Sequence, residues 1–252
     1  MSTGLAVTEW GAGPCVVLIH GGTPQGGAVA FEAQRPLAER WRLILPDRPG
    51  HGATPRDGRE DFARDAELIA PLLDGGAHLV GHSYGGMVAL CIASDHPETV
   101  RSLTLIEPPA YTLAIDDPAV AEMRRRNREL FENPRLEPAA LVRSFFELVG
   151  IDLPVDILPP QAIAAVAGSL TDIRNPDDAE FDMAKLALGR YPRLVLTSGR
   201  ISGFEAIARA FVISTGATHK IIPGTDHTVQ NAGEPVNKLL EALWSDPSST
   251  PL

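Results

Sequence analysis

The sequence predicts an α/β fold: a mostly parallel central sheet with helices on both faces and a helical cap insertion. Short apolar runs alternate with longer helical patterns along most of the chain, which is typical of repeated strand-helix units. The motif Gly81-His82-Ser83-Tyr84-Gly85 joins one apolar run directly to a helical pattern. The stretch 108–191 shows helical patterns but no strand pattern, which indicates an insertion between two strands.

Seven short runs are predicted as strands, and five longer patterns outside the insertion are predicted as helices. The strand runs read LAVTEW, CVVLIH, RLILPD, AHLVG, SLTLIE, RLVLTS and HKIIPG. The helical patterns cover about 28–40, 60–74, 84–95, 203–213 and 234–244.

The strand-free region sets the predicted division of the chain. Its four helical stretches, AVAEMRRRNREL, PAALVRSFFELVG, PPQAIAAVAGSL and DAEFDMAKLAL, are separated by proline and glycine. We expect a core made of 1–107 and 192–246, a helical cap over 108–191 and a C-terminal tail at 247–252. The tail is polar and contains proline, so it is expected to be frayed.

Composition narrows the class of partner. The 252 residues carry 32 acidic and 22 basic side chains, and the formal net charge of -10 argues against nucleic acid or an anionic membrane. The sequence contains neither a recognisable signal peptide nor an apolar run of membrane-spanning length, so we expect a cytoplasmic protein. Cys15 and Cys91 have no His or Cys at ligand spacing and are predicted as small buried hydrophobes. The oligomeric state stays open.

The Gly-x-Ser-x-Gly motif has the context that a nucleophilic serine requires, because a strand precedes it and a helix follows it. In such a turn the serine is held in a strained backbone conformation that lifts its hydroxyl clear of the sheet. The turn also brings Gly81 and Gly85 together, so that only glycine-sized residues fit there. Ser83 is therefore predicted as the nucleophile, with an ordinary strand-to-helix turn as the alternative.

In this order of elements the sequence resembles the α/β-hydrolase superfamily over most of the chain, and least in the cap. The stretch VVLIHGGTPQGG is similar to the His-Gly loop of that family, whose backbone N–H groups bind the developing oxyanion. The resemblance implies that Gly22 and Tyr84 supply the two oxyanion donors. A glycine-rich phosphate site is disfavoured, because neither Gly-x-Gly-x-x-Gly nor a P-loop Lys-Ser/Thr is present.

The segment LILPDRPGHGATP resembles the turn that follows the next strand in the family. Asp47 precedes Ser83 in the chain, whereas this fold uses the order serine, acid, histidine. Asp47 is therefore assigned a structural role. His51 is predicted as a hydrogen-bonding loop residue for the same reason.

Two histidines, His219 and His227, compete for the role of base after the last third of the sheet. His219 opens the apolar run HKIIP and is predicted at a strand edge. The resemblance places the catalytic histidine on the loop that carries His227, with a solvent-exposed loop histidine as the alternative. Asp226 is a poor partner for it, because adjacent side chains on an extended loop point apart.

The acid is the member of the predicted site for which the sequence leaves a choice. Family members commonly carry it in a Gly-x-x-Asp pattern, but Ser202 stands at that place after Gly199. A second solution in this fold puts the carboxylate at the end of the strand beside the nucleophile strand, where Glu107 precedes two prolines. Glu107 is the predicted acid. The alternatives are that Glu205 is the acid or that the site has no acid.

The cap offers apolar residues that could line a pocket over Ser83, although most of them are expected to pack helix to helix. The run MRRRNREL spreads its arginines around more than one helix face, which favours a solvated or ion-paired surface over an anion site. The apolar candidates for the pocket are Phe145, Phe146, Leu148, Ile151 and Met183.

Together these residues predict a serine hydrolase acting on a small carboxylic ester, lactone or similar acyl compound. Ser83 would attack, His227 would transfer the proton, Glu107 would orient the imidazole, and the amides of Gly22 and Tyr84 would hold the oxyanion. No metal or organic cofactor is implied, and the expected partner is a small-molecule substrate. The alternatives are a C–C bond hydrolase or lyase on the same residues and a non-catalytic ligand-binding receptor.

Overall fold

A seven-stranded sheet forms the centre of the computed structural model, which describes residues 4–22, 24–131 and 136–246. The strand order is β1-β3-β2-β4-β5-β6-β7; β1 is antiparallel to β3, and the other neighbours are parallel. The predicted tail, 247–252, lies outside the described residues. The strands are β1 (Val7–Trp10), β2 (Cys15–Ile19), β3 (Arg42–Pro46), β4 (Ala77–His82), β5 (Val100–Ile106), β6 (Arg193–Thr197) and β7 (Thr218–Ile221).

Every run predicted as a strand overlaps one of these strands, and the predicted fold class is confirmed. The parallel strands end at one edge of the sheet, because Ile19 of β2 pairs with Gly81 of β4, and His82 of β4 pairs with Ile106 of β5. The segments that follow β2, β4 and β5 therefore emerge side by side. Parallel sheets bind their ligands at this edge.

Helices cover both faces of the sheet. Two of the predicted helices are shorter than expected: the pattern at 28–40 forms α1 and a 3₁₀ helix, Glu32–Glu39, and the pattern at 60–74 forms α2 and a 3₁₀ turn, Ala70–Leu73. Each 3₁₀ segment contains a proline, which cannot donate a backbone hydrogen bond. The core helices are α1 (Gly27–Ala30), α2 (Phe62–Ile69), α3 (Tyr84–Asp95), α8 (Ser202–Thr215) and α9 (Glu234–Trp244).

The stretch between β5 and β6 contains four α-helices, and none of its described residues belongs to one of the seven strands. Helix α4 packs on α5 and α8, and α5 packs on α6. The division of the chain into a core and a cap remains our proposal. These helices are α4 (Pro118–Phe131), α5 (Pro138–Val149), α6 (Pro160–Thr171) and α7 (Met183–Leu188).

The core lies in two layers, one on each face of the sheet. Val17 and Ile19 of β2 pack with α3 and the helices between β5 and β6, whereas Val16 and Leu18 pack on the opposite face with Trp244 of α9. This alternation follows from the two-residue period of a strand. The predicted burial of the cysteines is only partial, since both are free thiols of intermediate exposure. No helix among the described residues has the length and apolar character that a membrane span requires.

Candidate active site

Ser83 lies between the end of β4 and the first residue of α3, with a backbone φ of 52°. This is the left-handed region that non-glycine residues seldom adopt, and it agrees with the strained turn that the motif predicts. A side chain at Gly81 would clash with the carbonyl oxygen of Gly85, and one at Gly85 would clash with the carbonyl oxygen of Ile19. Both positions therefore require glycine.

A chain of two hydrogen bonds joins the serine to a buried carboxylate. The Ser83 hydroxyl lies 2.9 Å from Nε2 of His227, and Nδ1 of His227 lies 2.7 Å from Oε2 of Glu107. His227 is 3% exposed and Glu107 is fully buried, so water does not compete for the bond between these two residues. The structure thus brings together the three residues predicted as nucleophile, base and acid.

Glu107 is held by its backbone and by a residue that sequence analysis did not single out. Its Oε1 accepts hydrogen bonds from the backbone N–H of Ser198 at 2.7 Å and from the Ser198 hydroxyl at 2.6 Å. Its φ of 42° is the second positive φ at a non-glycine residue in the described chain. Ser198 follows β6 and becomes recognisable only when β5 and β6 are placed side by side.

Two aromatic rings position His227. The ring of Phe204 stacks on the imidazole, with centroids 5.0 Å apart and an interplanar angle of 16°. Nε2 of His82 lies 3.0 Å from the carbonyl oxygen of His227, and Nδ1 of His82 lies 3.3 Å from the side-chain nitrogen of Gln230. Burial, and to a smaller extent the neighbouring His227, lower the pKa of His82 to about 3. A neutral His82 thus donates to the carbonyl of His227 and accepts from Gln230.

The two predicted oxyanion donors lie next to the nucleophile. Gly22 and Tyr84 both line a cavity at Ser83, and Tyr84 is the first residue of α3. A Cβ on Gly21 would lie 2.8 Å from Cβ of Ser83, so the glycine loop passes very close to the serine. The role of the two amides remains a prediction that this arrangement supports.

His20 secures that glycine loop. Its Nδ1 lies 2.7 Å from the Gly21 carbonyl oxygen, and its Nε2 accepts the backbone N–H of Arg48 at 3.0 Å. Burial, together with the nearby Arg48, lowers the pKa of His20 well below its usual value. The ring is therefore neutral, with one nitrogen that donates and one that accepts.

A buried charge cluster lies beneath the site. The Arg48 guanidinium is fully buried and contacts Glu60 at 2.9 Å and Asp65 at 3.2 Å. Burial raises the pKa of Asp65 to about 6 despite the charge of Arg48. For Glu60, hydrogen bonding to His51 and the charge of Arg48 outweigh burial, and its pKa is lowered. His51 is thus a buried partner of Glu60, 3.0 Å away, rather than a neighbour of Ser83.

The remaining candidates lie elsewhere. Asp47 accepts the backbone N–H groups of Gly27 at 2.8 Å and Ala53 at 2.9 Å, as a loop-bracing residue would. His219 lies in β7 and its Nε2 is 2.8 Å from the Thr197 hydroxyl. Glu205 is 3.8 Å from His219, and Asp226 accepts the backbone N–H of Thr228 at 2.8 Å. None of these contacts reaches the His227 ring.

Two cavities meet at Ser83, Gly22 and Phe145, which line both of them. We call them the small cavity, about 50 Å³, and the large cavity, about 460 Å³. Of the apolar residues proposed for the pocket, Phe146 and Ile151 line the large cavity, while Leu148 and Met183 line neither. The small cavity is also lined by Glu60, Tyr84, Pro109, Tyr111, Asn127, Phe131, Val149, Ser169, Leu170, Ile173, Pro176 and Phe204.

The arginine-rich run of α4 is ion-paired, as predicted. Arg124 lies 2.6 Å from Asp177, and Arg125 lies 2.6 Å from Glu122 of its own helix. Neither arginine lines the small or the large cavity. The run therefore gives no support to an anionic substrate.

Comparison with known proteins identifies the family. The sequence profile of the alpha/beta hydrolase fold matches residues 14–178, which is more than half of the chain. The chain therefore belongs to the α/β-hydrolase fold family.

Two of the similar relatives match shorter stretches. The chain is 42% identical to a pimeloyl-[acyl-carrier protein] methyl ester esterase of Chromobacterium violaceum over 102 residues, 40% of each chain. It is 35% identical to a 2-hydroxymuconate semialdehyde hydrolase of a Pseudomonas species over 134 residues, 46% of this chain and 47% of the relative. Both alignments span less than half of the relative's length.

A solved structure matches the whole fold. A thermophilic esterase from Thermogutta terrifontis superimposes with a TM-score of 0.68 at 23% identity, covering 98% of this chain and 94% of the esterase. At this identity the likeness shows the fold alone.

Proposed function

We propose that this protein is a serine hydrolase that cleaves small carboxylic esters, lactones or related acyl compounds through an acyl-enzyme. The observation that carries the proposal is the buried chain of hydrogen bonds from Ser83 through His227 to Glu107. A hydroxyl, an imidazole and a carboxylate in this order form the arrangement that activates serine in acyl transfer. Family membership and the name of the pimeloyl-[acyl-carrier protein] methyl ester esterase support the same reaction class.

The proposed reaction has two halves. His227 Nε2 takes the Ser83 hydroxyl proton while Oγ attacks the substrate carbonyl carbon, and the carbonyl oxygen becomes an oxyanion held by the Gly22 and Tyr84 amides. When the intermediate collapses, the bond to the leaving oxygen breaks and His227 returns the proton to that oxygen. Water then repeats the sequence on the acyl-enzyme and releases the acid. Glu107 keeps the imidazole in the tautomer that accepts at Nε2.

The test is labelling with a fluorophosphonate, followed by kinetics on short-chain esters. We expect a single adduct at Ser83, and Ser83→Ala should lower kcat by about 10³- to 10⁶-fold. Ser214→Ala, at an exposed position on α8, is the matched control and should label and turn over normally. An adduct that persists in Ser83→Ala, or full activity in that variant, would refute the assignment.

A second candidate is C–C bond hydrolysis on the same residues, which the likeness to the 2-hydroxymuconate semialdehyde hydrolase favours. It predicts that a diketone is split by water into a carboxylic acid and a ketone. If diketones are turned over with a higher kcat/KM than esters of equal size, this candidate replaces the esterase. A protein that binds such compounds but neither labels nor turns over would instead be a receptor.

A further inference from the structure

The small cavity and the large cavity differ in their relation to His227. The large cavity is lined by His227, Thr228 and Gln230, and the small cavity by none of them. Phe204, whose ring is stacked on the imidazole of His227, lines the small cavity. The phenyl ring therefore lies on the side of the small cavity, and the base faces the large one.

The position of the base decides which part of an ester occupies each cavity. When the intermediate collapses, His227 Nε2 must lie within hydrogen-bonding distance of the leaving oxygen. The group attached to that oxygen therefore extends from the His227 side. The acyl chain, bonded to the same carbonyl carbon, extends in the other direction, past Tyr84.

Resting on the proposed function, we infer that the small cavity takes the acyl chain and the large cavity takes the leaving alcohol. The preferred substrate is then an ester of a short acyl chain with a larger, uncharged, apolar alcohol.

Cavity size supports the short acyl chain. The small cavity, about 50 Å³, has far less room than the large cavity, so the chain that it admits is short. Most of its lining is fixed, because Tyr111, Asn127, Val149 and Leu170 are buried. The large cavity, about 460 Å³, has the size of an ordinary ligand pocket.

The lining of the large cavity supports an apolar alcohol. Among the described residues that line it, none is Lys, Arg, Asp or Glu. Phe145, Phe146 and Ile151 supply an apolar wall. Val29 and Leu153 also line it and are 59% and 43% exposed, so the apolar surface continues to the outside of the molecule. A long alkyl or aryl group would cover these side chains on binding.

Two isomeric esters separate the two assignments. Hexyl acetate and ethyl hexanoate have the same composition and differ only in which side of the carboxylate carries the longer chain. We expect kcat/KM to be at least about tenfold higher for hexyl acetate, because the small cavity has far less room for a six-carbon acyl chain than the large cavity has for a six-carbon alcohol. Equal values, or a preference for ethyl hexanoate, would overturn the inference.

Variants in the linings of the small and the large cavity test which cavity causes the preference between the two esters. Ala165→Phe, in the lining of the large cavity, should lower kcat/KM for hexyl acetate more than for ethyl acetate. Ala164→Phe, at the adjacent exposed position on the same helix, is the matched control and should not change that ratio. Leu170→Ala, in the lining of the small cavity, should raise kcat/KM for ethyl hexanoate relative to kcat/KM for hexyl acetate. If Ala165→Phe instead selectively impairs ethyl hexanoate, the two subsites are reversed.

Failure of this inference differs from failure of the proposed function. A reversed or absent preference, with Ser83 still labelled by the phosphonate and esters still hydrolysed, overturns only the subsite assignment. Labelling at Ser83 without turnover of either isomer overturns the substrate class. Absence of both labelling and turnover counts against the serine hydrolase itself.

Discussion

At the scale of single residues, the carboxylate is the informative case. Glu107 stands at the end of β5, where its side chain bridges the His227 ring and the residue that follows β6, Ser198. A carboxylate that accepts three hydrogen bonds in a buried site stays in one place, which is what fixing an imidazole requires. Glu205, the other candidate, lies beside His219 and has a buried oxygen, Oε1, without a hydrogen-bond partner among the described residues.

The residue-scale prediction is that Glu107→Gln is far more damaging than Glu205→Gln. An amide at 107 keeps the shape of the side chain but can hold the imidazole in the wrong tautomer, so we expect kcat to fall by about 10⁴, the loss known for Asp to Asn in serine protease triads. Steady-state kinetics on a short-chain ester measures it. If instead Glu205→Gln is inactive and Glu107→Gln is active, the acid is Glu205 of α8.

At the scale of elements, the turn between β4 and α3 determines where Ser83, the proposed nucleophile, lies. The helix approaches β2 so closely that Gly85 contacts the Ile19 and His20 carbonyl groups, and Gly86 faces Pro108. Without side chains at these glycines, α3 starts directly over the end of the sheet. The hydroxyl of Ser83 then reaches the histidine on the loop before α9.

The element-scale prediction compares two Gly→Ala changes. Gly85→Ala places a methyl group against backbone that cannot move independently, so it should destabilise the fold by about 3 kcal/mol or prevent folding. Gly168→Ala, in the exposed interior of α6 with no atom near the added methyl, should instead stabilise by about 0.5 to 1 kcal/mol.

Urea unfolding monitored by circular dichroism measures both changes. If Gly85→Ala is as stable as the parent, the close approach of α3 to β2 does not restrict position 85 to glycine. If Gly168→Ala is strongly destabilised, the protein is destabilised by a Gly→Ala change even at an open position, and the result at Gly85 is not specific.

At the scale of the whole molecule, neutral histidines are part of the core. His20, His78 and His82 are all buried, and burial is the first cause of their lowered pKa values. Each must gain a proton as the chain unfolds below about pH 6.5. Between the lowered folded value and 6.5 the unfolded chain binds more protons, so stability falls as the pH falls. Asp65, whose pKa is raised to about 6 in the folded protein, has the opposite effect, because its contribution to stability rises as the pH falls.

The whole-molecule prediction uses His78, which is remote from Ser83 and packs between Trp41 and Trp244. Burial and the charge of Arg101 lower its pKa to about 4. The difference in unfolding free energy between pH 7 and pH 5 should therefore be smaller in His78→Gln than in the parent, by about 2 kcal/mol.

Urea denaturation at the two pH values measures this difference, and His96→Gln, at a half-exposed position, is the matched control. The contribution of Asp65 is present in every variant and cancels in the comparison. An unchanged pH dependence in His78→Gln would mean that this histidine is not buried in the neutral form.

The sequence by itself determined the fold class, the approximate positions of the strands and the motif around Ser83. Strand and helix periods are local properties that can be read along the chain. A strand-to-helix turn with glycines at 81 and 85 is typical of the tight turn that carries a nucleophilic serine. The sequence did not determine that the helix expected at 28–40 would be mostly 3₁₀, nor the choice between Glu107 and Glu205. The tertiary structure shows the 3₁₀ segment, the hydrogen bond from His227 that favours Glu107 as the acid, and the contacts of Ser198, His82 and Phe204 with the site. The physical reason is that these contacts join residues distant in the chain, and their geometry depends on which strands are neighbours and where each strand ends.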